Sequence, residues 1–216
     1  MLLTGFEGYA GRSDNPSAMV AEALAGTEIA GETIVSAVLP VTMHDIRTNI
    51  ESLIDQYQPR IIVCLGLAPG EPMIRIEKMA VNLADFQIKD NNGDISRGPL
   101  IDQGPAAFEA TLPVHAICDD VLADGIPARV SYTAGTFLCN AVSYYALHYC
   151  SMNYQNTVAG FIHLPYLPSQ VRDVIVGTQE RKTIEMEQRS DLASMAFEVQ
   201  TDAVETAIRT CINALQ

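Results

Sequence analysis

Short apolar runs rich in β-branched residues recur along this chain, separated by longer stretches with helical spacing. That alternation narrows the available folds more than any other feature. The runs are MLLTGF (1–6), TIVSAVLP (33–40), RIIVCLGL (60–67), ARVSYT (128–133) and TVAGFIHLP (157–165). Several are apolar at every position, as parallel strands covered on both faces must be. Between them, NPSAMVAEALAG offers Asn15 as an N-cap with Pro16 at the first helical position. TMHDIRTNIESLIDQYQ puts Met43, Ile46, Ile50, Leu53 and Ile54 on one helical face. AAFEATLPVHAICDDVLADG (106–125) and NAVSYYALHYC (140–150) also read as helices, and 190–216 as a long amphipathic helix closing the chain. Segment 73–89 alternates like an antiparallel strand or a hairpin, and 92–107 is rich in turn residues. The expectation is one α/β domain over 1–216 with a largely parallel sheet. In such sheets a site lies beyond the carboxyl ends of the strands.

Composition removes several function classes. With 13 Lys+Arg against 26 Asp+Glu the formal net charge is −13, which leaves little material for a nucleic-acid-binding face. No apolar stretch is long enough to span a bilayer, and MLLTGFEGYAGRSDNPS lacks the pattern of a signal peptide. Five scattered cysteines without a CxxC pair suit a reducing cytoplasm better than a disulfide framework. His44, His115, His148 and His163 have no metal-type spacing, so no metal is expected.

Three polar groups occupy positions where chemistry is possible. Cys139 follows the strand 128–133 and the turn TAGT, in the first turn of the next helix. Free backbone N–H groups and the helix dipole there favour a thiolate and can hold an oxyanion. Core packing is the competing reading, since free cysteine is among the most buried residue types. His163 ends VAGFIH before LPYLP, which stops strand pairing. If both strands end on one edge of the sheet, Cys139 and His163 meet, as a thiol hydrolase requires. Alternation in IRIEKMAVN puts Arg75 and Glu77 on one face. Glu77 is then either an edge-strand carboxylate paired with Arg75 or Lys78, or the partner that orients the imidazole. Cys64, Cys118, Cys150 and Cys211 read as packing. GLAPGE lacks the residues of a P-loop, and no G-x-S-x-G elbow is present.

Four blocks in order, LLTGFEGY…NPS, IRIEKMAVN…DNNG, VSYTAGTFLCN and GFIHLPYLP, resemble the pyroglutamyl peptidase I (pyrrolidone carboxyl peptidase) family over roughly residues 1–170. The resemblance implies a three-layer α/β/α sandwich around a twisted, mostly parallel mixed sheet, similar to that of nucleoside phosphorylases. It implies a cofactor-free cysteine exopeptidase that removes an N-terminal pyroglutamyl residue from peptides. Cys139 would be the nucleophile, His163 the base and Glu77 the orienting carboxylate. The Cys139 backbone N–H, with Gln87, would stabilise the oxyanion. Phe6, Tyr9, Asn15, Leu67, Ile88, Phe137 and Leu138 would line the lactam pocket, with Phe6 and Phe137 sandwiching the ring. Family members are often homo-oligomers, so a dimer or tetramer is implied.

The chain also departs from the family pattern. Tyr9 stands where phenylalanine is common, and GLAPGE places Leu67 and Glu71 where an amide and an arginine are usual. FQIKDN places Gln87 where an arginine is usual, and a neutral donor holds an oxyanion less well than a charged one. Two alternatives therefore stand beside the leading reading: a thiol amidase of altered specificity, and a catalytically weak binding protein for a small lactam or peptide N-terminus. The loop 92–107 and the polar stretch 169–192 read as mobile or subunit-contacting.

Overall fold

The structure, a computed structural model, describes residues 1–181 and 192–216. In chain order it contains β1 (Leu2–Phe6), α1 (Pro16–Ala23), β2 (Glu28–Ile29), β3 (Glu32–Thr33), β4 (Val35–Leu39), α2 (Met43–Tyr57) and β5 (Ile61–Leu67). Then come β6 (Ile74–Glu77), β7 (Met79–Val81), β8 (Ala84–Asp85), β9 (Arg97–Gly98), β10 (Ala107–Glu109) and α3 (Val114–Ala123). The remaining elements are β11 (Ala128–Ser131), α4 (Leu138–Asn153), β12 (Val158–Leu164), α5 (Pro168–Arg181) and α6 (Phe197–Ala214).

Six strands form the central sheet in the order β11-β6-β12-β5-β1-β4, and every neighbouring pair is parallel except β12 with β6. Strand periodicity divides the side chains between two cores. Leu3, Val63, Leu65, Ile74, Ile76, Ile162 and Leu164 face α1, α3 and α6. Leu2, Ile62, Cys64, Ala159 and Phe161 face α2 and α4. The sheet is thus mixed, mostly parallel and covered on both sides, as expected. No helix among the described residues is long and apolar enough to cross a membrane.

Several local expectations are corrected. Segment 73–89 follows the antiparallel-strand alternative rather than the hairpin: β6 enters the central sheet antiparallel to β12, β7 pairs antiparallel with β10, and β8 with β9. β6 is also not an edge strand, since β11 flanks one side and β12 the other. The helix expected over 106–125 begins only at Val114, because Pro113 cannot continue a helical ladder and residues 107–109 pair with β7 instead. The closing helix starts at Phe197; before it, Ser194 bridges to Tyr166, and 190–191 lie outside the described residues. The polar stretch 169–192 begins within α5, and 182–191 lie outside the described residues. The loop 92–107 is tied down by β8–β9 pairing and by Asn82, whose side chain donates to the Ile101 carbonyl at 2.8 Å and accepts from its N–H at 2.9 Å.

Candidate active site

β12 and β6 bring the first two groups together. Antiparallel register sets Glu77 opposite Phe161 and Arg75 opposite His163. By parity, all four side chains lie on the sheet face that carries α4. His163 and Glu77 are therefore diagonal neighbours, a spacing long side chains can span. The imidazole Nδ1 lies 2.7 Å from Glu77 Oε1, with both residues buried. Phe161 packs edge-on against the ring, centroids 4.7 Å apart, and limits its rotation. A carboxylate at Nδ1 leaves Nε2 as the nitrogen able to exchange a proton with a substrate or nucleophile.

Cys139 approaches by a different route from the one expected. β11 is antiparallel to β12, so its carboxyl end does not share an edge with that of His163. Instead, residues 132–137 carry the chain back across the sheet, turning at Gly135 with φ of 79°. Thr136 clasps Asp85 through a side-chain hydrogen bond of 2.9 Å and a backbone bond of 3.2 Å. Cys139 then enters as the second residue of α4. Asn140, fully buried, pins that first turn by accepting from Val81 N–H and donating to the Val81 and Leu83 carbonyls at 2.8–3.0 Å. The sulfur ends above Gly66, where a Cβ would stand 2.8 Å from Sγ, and Gly66 is the β5 register partner of His163. Cys139 and His163 line one cleft of about 1090 Å³, with Arg75, Gln87 and Ile88 also on its wall.

Electrostatics at the sulfur differ from expectation. The Cys139 thiol is pushed up to about 12, first by burial and then by the Glu77 charge. Its own backbone N–H and the Arg75 guanidinium pull the other way without prevailing. Burial thus outweighs the help that the helix N-terminus gives this thiol.

Beside the sulfur opens a small, largely apolar recess lined by Phe6, Tyr9, Asn15, Val41, Leu67, Phe137, Leu138 and Cys139. A model of the pyroglutamyl peptidase family matches residues 1–214. The chain belongs to the pyroglutamyl peptidase family. A pyrrolidone-carboxylate peptidase of Coprothermobacter proteolyticus is 36% identical over 100% of this chain and 98% of that protein. The pyrrolidone carboxyl peptidase of Pyrococcus furiosus superposes with a TM-score of 0.91 at 34% identity, covering 100% and 99% of the two chains. Pyroglutamyl peptidase I of Bacillus amyloliquefaciens superposes at 0.87 and 32% identity, covering 98% and 96%.

Within this pyroglutamyl peptidase fold, six of the seven expected pocket residues line the recess, while Ile88 lies on the larger cleft and is exposed. Asn15 divides its side chain: Oδ1 caps α1 at Ser17 N–H (3.1 Å), while Nδ2 donates to the Glu7 carbonyl (3.0 Å). Phe137 rests on Phe86, centroids 4.4 Å apart, with Tyr9 at 6.2 Å. Gln87 is exposed on the cleft rim and donates to the Asp85 carbonyl at 3.3 Å. Three residues escaped the sequence reading: Val41, Phe86 and Asn140. Val41 follows the carboxyl end of β4, so the strand-end rule that found His163 reaches it too. A polar Asn140 in the mostly apolar start of α4 was the available signal for an anchoring role. Phe86 gave no signal apart from its aromatic ring.

Proposed function

We propose that the protein is a cysteine exopeptidase that hydrolyses the amide bond after an N-terminal pyroglutamyl residue. The observation that carries this reading is the apolar recess opening directly beside a thiol that shares its cleft with a carboxylate-paired imidazole. A pyroglutamyl group is a flat, neutral lactam, and such a group suits an apolar recess with few polar contacts.

Cys139 Sγ attacks the pyroglutamyl carbonyl carbon as His163 Nε2 takes the thiol proton. Transfer of the thiol proton to His163 generates the nucleophile. Glu77 holds Nδ1 and stabilises the imidazolium. The oxyanion meets the Cys139 N–H at the start of α4, with Gln87 at the rim as a further donor. The tetrahedral intermediate collapses, His163 protonates the departing amine, and a thioester remains. Water then attacks the thioester with His163 as base, releasing pyroglutamate and restoring the thiol.

The same reading assigns the protein to the reducing cytoplasm, where free thiols persist, as a homo-oligomer of one-domain subunits without metal or cofactor. The decisive test is turnover of pyroglutamyl-amidomethylcoumarin by the wild type and by Cys139→Ala. Release of fluorophore by the wild type and its loss in the variant are expected. Equal rates refute the mechanism, and preference for another blocked N-terminus in a substrate panel replaces the specificity.

A further inference from the structure

We infer that Arg75 is a positioning residue for this site, tying the carboxylate that orients His163 to the loop that delivers Cys139. The inference rests on the proposed roles of Cys139, His163 and Glu77 and adds a fourth group to them. Arg75 lies directly opposite His163 in the β6–β12 register, and one of its terminal nitrogens contacts Glu77 Oε1 at 2.9 Å. The same nitrogen donates to Ser131 Oγ at 2.8 Å and to the Thr133 carbonyl, the latter within the segment that returns the chain toward α4.

Two details separate this arrangement from an ordinary ion pair. Glu77 Oε1 holds His163 Nδ1 and forms the ion pair with the guanidinium, whereas Oε2 has no hydrogen-bond partner. Only one carboxylate oxygen is held, so its orientation depends on being pinned between a cation and the imidazole. Take the cation away and the carboxylate can rotate, and the imidazole loses its fixed reference. The pair is also enclosed: side-chain exposure is 17% for Arg75, 1% for Glu77 and 6% for His163, so solvent screens it weakly.

The fold also supports the guanidinium from behind. Register places Arg75 beside Arg129 across β6 and β11, where two like charges would repel. Glu71 lies between them, 2.9 Å from Arg129 and 3.6 Å from Arg75. Arg75 is thus the cation on the cleft wall, facing Glu77 and His163 from the sheet, Glu71 from the preceding turn and Cys139 from α4. Among the described residues, Cys64 and Tyr9 are the other titratable groups acting on the sulfur, and Asp85 stands on the same cleft wall.

The test follows the reactivity of Cys139 and catalysis separately. Arg75→Gln and Arg75→Lys are compared with wild type for iodoacetamide modification of Cys139 across pH, for kcat and KM, and for melting. In Arg75→Gln the alkylation profile moves to higher pH, because a cation favouring the thiolate is gone. Its kcat falls by about tenfold or more while KM changes by less than about twofold. Arg75→Lys restores the alkylation profile but only part of kcat, since one ammonium cannot span Glu77 and Glu71, which two different guanidinium nitrogens reach. A folded Arg75→Gln protein with an unmoved alkylation profile and wild-type kcat overturns the inference. Should Arg75→Gln not fold, Arg75→Lys decides: reduced kcat at constant KM supports the role, and undiminished kcat overturns it. Wild-type failure to cleave pyroglutamyl substrate removes the proposed activity instead, while the alkylation profiles still judge Arg75.

Discussion

A missing side chain at position 66 is what lets the sulfur reach the sheet. A Cβ there would stand 2.6 Å from Phe161 Cζ and 2.8 Å from Cys139 Sγ, so Gly66→Ala must displace one or both. Overpacking of this kind costs about 1–3 kcal/mol, and a misplacement of about 1 Å at reacting atoms can cost 10²-fold in rate. Urea unfolding and fluorogenic turnover of Gly66→Ala should reveal both losses; wild-type turnover would mean the sulfur has more freedom than its surroundings suggest. Glu77→Gln makes a sharper prediction because its two effects run in opposite directions. The carboxylate charge disfavours the thiolate, so its removal moves Cys139 alkylation to lower pH. The same change puts a neutral amide in place of the charged anchor at Nδ1, and kcat falls by up to about 10⁴-fold, as when the orienting carboxylate of a triad becomes an amide. A nucleophile that becomes more reactive while the enzyme becomes slower would separate thiol ionisation from imidazole orientation. At this scale much was legible beforehand. Simple alternation already put Arg75 and Glu77 on one face, and Asn15 was recognisable as a cap. Which carboxylate oxygen is held, and by how many partners, depends on neighbours distant in the chain and was not.

Strands were legible as apolar runs, but their directions were not. Residues 61–67 and 158–164 are buried at nearly every position and announce themselves. IRIE and ARVS are short, charged and partly exposed, and an alternating pattern looks the same read in either direction. Their direction, antiparallel to β12, follows from tertiary pairing, which is why the expected shared edge for Cys139 and His163 failed although the residues still converge. The convergence depends on connecting segments, and Asp90 shows how one of these is held. Its Oδ1 accepts from the Asn92 and Asp94 N–H groups, while Oδ2 accepts from Met43 N–H at the start of α2, all at 2.9 Å. Next to it, Asn91 donates to Glu7 and to the Gly8 carbonyl, joining this turn to the segment that carries Tyr9. Asp90→Ala therefore orphans three donors around a buried position and should lower stability by about 1–3 kcal/mol. Because the same turn leads into the cleft wall at Gln87 and Ile88, KM should rise more than kcat falls. A variant with reduced unfolding midpoint but unaltered KM would confine Asp90 to a helix-capping role.

Across the molecule, ionisable groups that burial keeps neutral all disfavour the folded state at high pH. All five cysteines are free thiols. Burial pushes Cys64 and Cys211 up to about 12 and Cys150 to about 11, and Cys118 moves in the same direction. Buried Tyr144 and Tyr145 are raised by the same cause. For an acid whose folded value lies above its unfolded one, the unfolded chain releases its proton first as pH rises. Stability is then fully present below about pH 9, the ordinary thiol value, and declines between there and about 12. Cys64 sits fully inside the core, and its rise from 9.0 to about 12 corresponds to a few kcal/mol when fully developed. The urea midpoint should hold steady from pH 7 to 8.5 and then fall progressively to pH 11, with Cys64→Val flattening the decline relative to wild type. A midpoint independent of pH over that range would show that the buried thiols ionise as readily in the folded chain as in the unfolded one. The same burial predicts selectivity: in the native protein a thiol reagent should modify Cys139, which opens on the cleft, well before the other four, and denaturant should release all five. Core packing and nucleophile placement thereby become two readings of one titration, separated by rate in the folded state and by stability at alkaline pH.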